Sequence, residues 1–390
     1  MKINYPIEET FVFEFNKNPQ KVIDELNYLY IGGYLNRKQH PVYENLYLYN
    51  YNQKTTFERY WNLYTLSCRG LVIDTKAKKI IALPFAKFFN YRELENTRYY
   101  QLSTAINNRN FDVYEKLDGS LAIGFVYNEQ IHWCTRGSFE SEQANYLNRY
   151  FRNNYTENEL EDIAFDYTNM TLLAEVIYPD NKIVVDYGGK HRMPLLAIIR
   201  NKDGKFLPYA DVCHEASLLK VECVKKYSHY ASLHEIVKES STWTHNTEGV
   251  VIVYDNGKRI KVKGEQYLTV HKLLYSASVK SKVQAWKDGT TKELLMGIPE
   301  EFRKDYEDLI KLLNLKLENF IKTINKYYKE ILLRELPRKN IFGVCQKYYN
   351  LNPFETSLIF KLLDGEDITE SVREYIYKNY SDFVKGDWLG

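Results

Sequence analysis

Near residue 275 the spacing of apolar residues changes, and that change sets the broad architecture. Before it, short β-prone runs alternate with turn residues: Gly70-Leu71-Val72-Ile73-Asp74, Ile80-Ile81-Ala82-Leu83, Val113 to Lys116, Leu121 to Tyr127 and Gln130 to Arg136. Thr171 to Tyr178, Lys182 to Tyr187 and Pro194 to Arg200 continue the pattern. Glu248 to Tyr254 and Lys258 to Lys263 flank Asp255-Asn256-Gly257, a hairpin signature. Beyond residue 275, Phe302, Tyr306, Leu309, Leu313, Leu317, Phe320, Ile324, Tyr328 and Ile331 recur at three- and four-residue steps up to Pro337. That period predicts one long amphipathic helix over 299–336, with shorter helices near 340–349, 354–363 and 369–379. An α+β domain over residues 1–275 is therefore expected to precede an all-helical domain over 276–390. Inside the first domain, Asn18-Pro19 opens a helix that Gly32-Gly33 closes. Ser141 to Asn153, Glu157 to Tyr167 and residues 213–240 also read as helical.

Composition narrows the class. At 390 residues and 44% apolar, the chain can bury a sizeable core, and 27% charged residues fit an ordinary soluble protein. A net charge of +2 gives no global basic field, so any nucleic-acid surface must be local. The 35 tyrosines suit base stacking, and equally the codon bias of an AT-rich genome. Five scattered cysteines, none in a C-x-x-C spacing, argue against a disulfide framework and against a zinc site. With no signal-like or membrane-spanning stretch, an intracellular, cytoplasmic protein is expected, in a host cytoplasm if the chain is viral.

One stretch carries chemistry. A β-prone run leads to Lys116, and Asp118-Gly119-Ser120 turns the backbone before a second run. Gly119 can take φ > 0 and leaves room for a ligand, and a lysine so placed can act as a covalent nucleophile. Taken alone, the segment fits a surface hairpin equally well. Other segments add weight. Arg69 starts a strand beside Gly70, and Lys87 stands among Phe85, Phe88 and Phe89. Glu175 lies in an apolar strand and Glu248 heads another; buried carboxylates need a partner. Strand alternation puts Lys261 and Lys263 on one face. Two such lysines would bind phosphates and would lower the pKa of a nearby Lys116.

These segments carry a resemblance. Lys116-Leu117-Asp118-Gly119-Ser120, Glu175, Glu248-Gly249 and Lys261-Val262-Lys263 resemble the motifs of the covalent nucleotidyltransferases: ATP-dependent DNA and RNA ligases and mRNA capping enzymes. Ser67-Cys68-Arg69-Gly70, Leu83-Pro84, Lys87-Phe88-Phe89-Asn90, Arg136-Gly137-Ser138, Ser141 to Ala144 and Pro179 with Asn181-Lys182-Ile183-Val184 are similar to the T-even phage RNA ligase 1 family in particular. The resemblance runs from about residue 45 to residue 275.

What it implies is specific. The fold would be an α+β nucleotidyltransferase (ATP-grasp-like ligase) domain of antiparallel sheets, followed by the helical domain. The cofactors would be ATP, with AMP carried covalently on Lys116, and Mg²⁺ or Mn²⁺. Tyr49, Arg69, Lys87, Glu175, Glu248, Lys261 and Lys263 would contact the nucleotide. Glu175 and Glu248 would hold the metal, with Glu293 as a further candidate ligand. Arg136 stands where the family carries a lysine, which keeps the charge but alters the hydrogen-bond geometry. Asp118, Gly119 and Tyr267 match further family positions.

The expected activity is an ATP-dependent RNA ligase joining 5′-phosphate and 3′-hydroxyl ends through lysyl-AMP and RNA-adenylate intermediates. A nicked tRNA would be the substrate, chosen by the helical domain, and the protein would act as a monomer. A capping guanylyltransferase or a DNA ligase would ordinarily carry an OB-fold after the last motif, where this chain reads as helical. A binding protein on a decayed ligase fold would not need to keep Lys116.

Overall fold

The computed structural model describes residues 6–91, 93, 110–181, 183–275, 278–297 and 300–384, so Lys182 of the quoted motifs lies outside the described residues. The chain divides into two compact units, Met1–His271 and Lys272–Gly390.

In the first unit, two helices, Ile7–Lys17 and Pro19–Ile31, precede the strands. Asn18 caps the second, its side chain accepting from the Lys21 amide with Pro19 behind it, as the sequence indicates. The strands are β1 (Leu35–Gln39), β2 (Leu46–Tyr51), β3 (Arg69–Asp74), β4 (Lys79–Ala82), β5 (Phe89–Asn90), β6 (Phe111–Lys116) and β7 (Ser120–Tyr127). They continue with β8 (Gln130–Thr135), β9 (Met170–Val176), β10 (Leu195–Arg200), β11 (Lys226–Tyr227), β12 (Gly249–Tyr254) and β13 (Arg259–Lys263). They form three sheets, ordered β1-β2-β3-β4, β10-β9-β7-β8 and β11-β6-β12-β13-β5. Pairing is antiparallel throughout except for β13 with β5. This is the antiparallel α+β architecture expected above.

The topology corrects one local reading. β6 and β7, on either side of Lys116 and Asp118-Gly119, belong to different sheets and do not pair. The Lys116 segment is a crossover between two sheets, not a hairpin.

Three further expectations differ. Residues 213–240 do not form one helix; a helix Tyr209–Leu218, the short β11 and a helix Leu233–Glu239 occupy that region. Residues 183–187 carry no strand, because their amides at 184 and 185 are taken by a side chain described below. Cys213 and Cys223 are paired in a disulfide, Cα atoms 5.1 Å apart, a pairing not foreseen where the sequence argued against a disulfide framework. Two cysteines ten residues apart become neighbours because the chain doubles back after helix Tyr209–Leu218.

The second unit is helical. Helix Glu300–Leu332 buries Tyr306, Leu309, Leu313, Leu317, Ile324 and Ile331 along the stripe read from the sequence. Against them pack Ile341 and Cys345 of helix Arg338–Tyr349, Leu358 and Ile359 of Pro353–Leu363, and Val372 and Ile376 of Thr369–Lys378. Pro337 begins the next helix instead of extending the long one.

Candidate active site

β6 ends on Lys116, and strand register decides what faces it. Gly249 of β12 stands opposite Lys116 on one side and opposite Lys263 of β13 on the other. Opposed residues share a face of the sheet, and Lys261 joins them two positions along β13. The conformation of Gly249 (φ 149°) lies in the region that disfavours side chains, and a Cβ there would overlap the Val262 carbonyl. Only glycine lets the three strands converge at this rung.

Glu248, one residue before Gly249, is buried. Its Oε2 lies 2.7 Å from Lys116 Nζ and its Oε1 lies 3.2 Å from Lys263 Nζ. Burial pushes the Glu248 carboxyl up, but the two ammonium groups outweigh it and hold it below the ordinary carboxylate range.

The crossover after Lys116 is held from behind. Asp118 is buried and accepts from the backbone amides of Val184 and Val185, each at 2.8 Å, and from the Tyr267 hydroxyl at 2.8 Å. Its own amide donates to the Tyr187 hydroxyl at 2.9 Å. Asp118 and Tyr267 therefore act as anchors for the loop. Gly119 donates its amide to Glu175 Oε1 at 3.2 Å. Its φ is not in the left-handed region, so conformational freedom is not what requires glycine here. Space is: a Cβ would stand 2.6 Å from the Val176 carbonyl oxygen and 3.1 Å from Glu175 Cγ. Ser120 then meets Asn181, which also binds Gln143 of helix Glu142–Asn154.

The third sheet adds more cations. Lys261 is driven down to about 7, first by burial and then by the ammonium groups of Lys87, Lys263 and Lys116. Glu175 is pushed up to about 7 by burial, with Glu248 and Asp118 adding to the rise and Lys116 and Arg69 opposing it. Lys87, Lys116, Lys261 and Lys263 thus lie within electrostatic reach of one another, an arrangement that suits a polyphosphate.

An aromatic wall stands beside the lysines. Lys87 is buried with its Nζ 4.9 Å from the Phe89 ring, 5.7 Å from Tyr51 and 5.8 Å from Trp61. Arg136 donates to the Tyr51 hydroxyl at 3.2 Å, and Arg69 lies within electrostatic reach of Tyr51, Arg136 and Glu175. A bulge at Gly70 (φ 99°) shifts the β2–β3 register between Tyr49 and Asn50 and aims Arg69 into this group.

Tyr49 is not brought here. It is fully buried in the core, and its hydroxyl faces Asn27 Oδ1 at 3.4 Å. Tyr51, two residues on, is the ring that lies beside Lys87 and Arg136. Tyr51 and Trp61 were not singled out in the sequence, and Asn181 only as part of a family motif; alternation from Tyr49 is the one signal that points to Tyr51. Glu293 lies in helix Thr291–Gly297 of the second unit, and its side chain is outside the described residues.

The donor set fits a hard divalent cation. Glu248 Oε2 is buried with no aligned hydrogen-bond donor, Lys116 Nζ being its ionic neighbour. Among the described residues no three or more His, Cys, Asp or Glu gather as a protein cage. Two carboxylates beside a lysine-rich surface suit Mg²⁺ or Mn²⁺, which keep waters and share substrate phosphates.

Comparison with known proteins adds an independent finding. The sequence profile described as RNA ligase matches residues 67–273, just over half of the chain. A protein of Autographa californica nuclear polyhedrosis virus, provisionally named bifunctional polynucleotide kinase/RNA ligase, is 27% identical over 225 residues. That match covers 53% of this chain and 31% of the viral protein. Among solved structures, an RNA ligase variant of Naegleria gruberi with AMP and Mn superposes with a TM-score of 0.39 at 17% identity, over 50% of this chain and 61% of that one. The same ligase with PPi gives 0.37 at 20% identity, over 49% and 60%. The chain spans less than two thirds of each of these relatives.

Proposed function

The chain belongs to the RNA ligase family, and from that membership and the site we propose that it is an ATP-dependent RNA ligase. The observation that carries the reading is the rung Lys116–Gly249–Lys263, with Glu248 bridging both lysines. A lysine ion-paired to a buried carboxylate amid further lysines is costly for a fold alone and useful for phosphoryl transfer.

Lys116 attacks the α-phosphorus of ATP. A P–N bond forms, the bond to the β-phosphate oxygen breaks, pyrophosphate leaves and the amine sheds a proton. Attack requires the amine to leave Glu248 first. Lys261 and Lys263, on the face that Lys116 shares, stabilise the departing charge, and Lys87 extends that surface. Arg69 and Glu175 orient the nucleoside, while Tyr51 and Arg136 border it. Mg²⁺ or Mn²⁺, held by Glu175 and Glu248, would supply charge neutralisation at the phosphates. Lys116 then passes AMP to an RNA 5′-phosphate, and an RNA 3′-hydroxyl displaces AMP to seal the strand.

The RNA is proposed to be a nicked tRNA, selected by the unit Lys272–Gly390, with the enzyme acting as a monomer in the cytoplasm. Among the described residues no helix is long and apolar enough to cross a membrane.

The test is joining of a 5′-phosphorylated RNA with a free 3′-hydroxyl, in parallel with ATP, with GTP and without nucleotide. Ligated product with ATP alone is expected. No product, or product independent of ATP, overturns the reading. A cleaved anticodon stem-loop beside an unstructured strand then tests the proposed preference.

A further inference from the structure

Helix Ile7–Lys17 lies outside the segment that matches the family profile, yet it sends one carboxylate into the site's foundation. Glu8 is buried, with 2% of its surface exposed. Its Oε1 accepts from the Ala86 amide at 3.0 Å and lies 3.2 Å from Arg259 Nη1. The Arg259 guanidinium is in turn seated 3.9 Å from the Phe206 ring and 5.2 Å from Phe85. Gly204 packs so closely beneath that a Cβ would meet the Glu8 carbonyl oxygen at 2.6 Å.

The two groups that Glu8 joins are each next to a phosphate-facing lysine. Ala86 immediately precedes Lys87. Arg259 is two residues before Lys261 on β13, so Arg259, Lys261 and Lys263 share one face. Among the described residues the sheet supplies a short parallel pairing between these segments, Ile260 with Phe89 and Lys261 with Asn90, with the Tyr91 amide donating to the Lys261 carbonyl at 2.9 Å. So short a pairing is a weak constraint. Glu8 closes the other end of that pairing, at 86 and 259. It also supplies the counter-charge that the third basic residue of the row would otherwise lack, and an unpaired charge at such depth is strongly unfavourable.

We propose that Glu8 is a positioning residue for ATP attack: by clamping Ala86 to Arg259 it fixes the separation of Lys87 and Lys261 across the nucleotide phosphates. This inference rests on the ligase reading above. Because pyrophosphate departs only in the first step, the clamp matters for formation of the enzyme adenylate and much less for sealing an RNA already carrying a 5′-adenylate.

The test uses the full chain with Glu8→Gln and with the double variant Glu8→Gln/Arg259→Gln, which keeps an acceptor for Ala86 without leaving a charge unpaired. Lysyl-adenylate formation and sealing of pre-adenylated RNA are measured on the folded fraction of each. Glu8→Gln is expected to slow adenylate formation by roughly ten- to a hundredfold, with sealing within about twofold of wild type and the double variant falling between. Equal losses in both steps, as a merely structural role would give, overturn the proposal. So does an unchanged adenylation rate in Glu8→Gln. Wild-type protein that forms no adenylate instead overturns the ligase reading, and this inference with it.

Discussion

Lys116 Nζ lies 2.7 Å from Glu248 Oε2, so the proposed nucleophile rests in an ion pair with a proposed metal ligand. The same carboxylate lies 3.2 Å from Lys263 Nζ, so removing it takes an ion-pair partner from two ammonium groups at once. Glu248→Ala is expected to cost about 3–5 kcal/mol of stability. Enzyme adenylation should fall by roughly 10²-fold or more. Thermal melts and single-turnover labelling measure the two effects; an unchanged melting temperature would contradict the pairing.

Stability of the nucleotide-free protein should pass through a shallow minimum near neutral pH. Glu175 is raised to about 7, so the native state holds its proton longer than the unfolded chain. Its contribution favours folding below the ordinary carboxylate range and is lost as pH rises to about 7. Lys261 is lowered to about 7, so the native state loses its proton first, and its contribution grows from about 7 towards the ordinary lysine range. Melting temperature against pH checks this, with Glu175→Gln flattening the acid limb and Lys261→Met the basic limb.

Gly119→Ala should impair adenylation more than it impairs folding. The added Cβ meets the Val176 carbonyl oxygen and Glu175 Cγ, and the crossover carrying Lys116 must shift away from β9. A displacement of that size costs roughly ten- to a hundredfold in rate. Single-turnover rates measure it, and wild-type kinetics in Gly119→Ala would mean the close approach is dispensable.

Two neighbouring tyrosines should behave differently. Tyr51→Ala removes the ring between Arg136 and Lys87 and should raise KM for ATP roughly tenfold. Tyr49→Phe loses a long contact to Asn27, worth about 1 kcal/mol or less, and should leave KM unchanged. The reverse pattern would restore the assignment made from sequence.

The comparison of Tyr49 with Tyr51 explains what the sequence could yield. Lys116, Glu175, Glu248, Lys261 and Lys263 were legible because charged groups in β-prone, apolar strands are costly unless something pairs them. Strand alternation even put Lys261 and Lys263 on one face correctly. Which tyrosine reaches the site was not legible, since the bulge at Gly70 depends on tertiary contact with Ile123 and Arg136. The separation of β6 and β7 into two sheets was hidden for a similar reason: a short turn between β-prone runs has the same local signature whether the strands pair or part. The Cys213–Cys223 pair and the break in the 213–240 helix follow from a chain reversal that leaves no periodic trace. The long helix Glu300–Leu332 was legible because its stripe repeats over many turns.

The most direct measurement is incubation of the protein with α-labelled ATP and Mg²⁺ or Mn²⁺, followed by acid denaturation and mapping of the label. The account predicts an acid-stable, amine-linked AMP on Lys116, absent in Lys116→Ala and dependent on Glu248. No covalent adenylate, or a label that persists in Lys116→Ala, would contradict it.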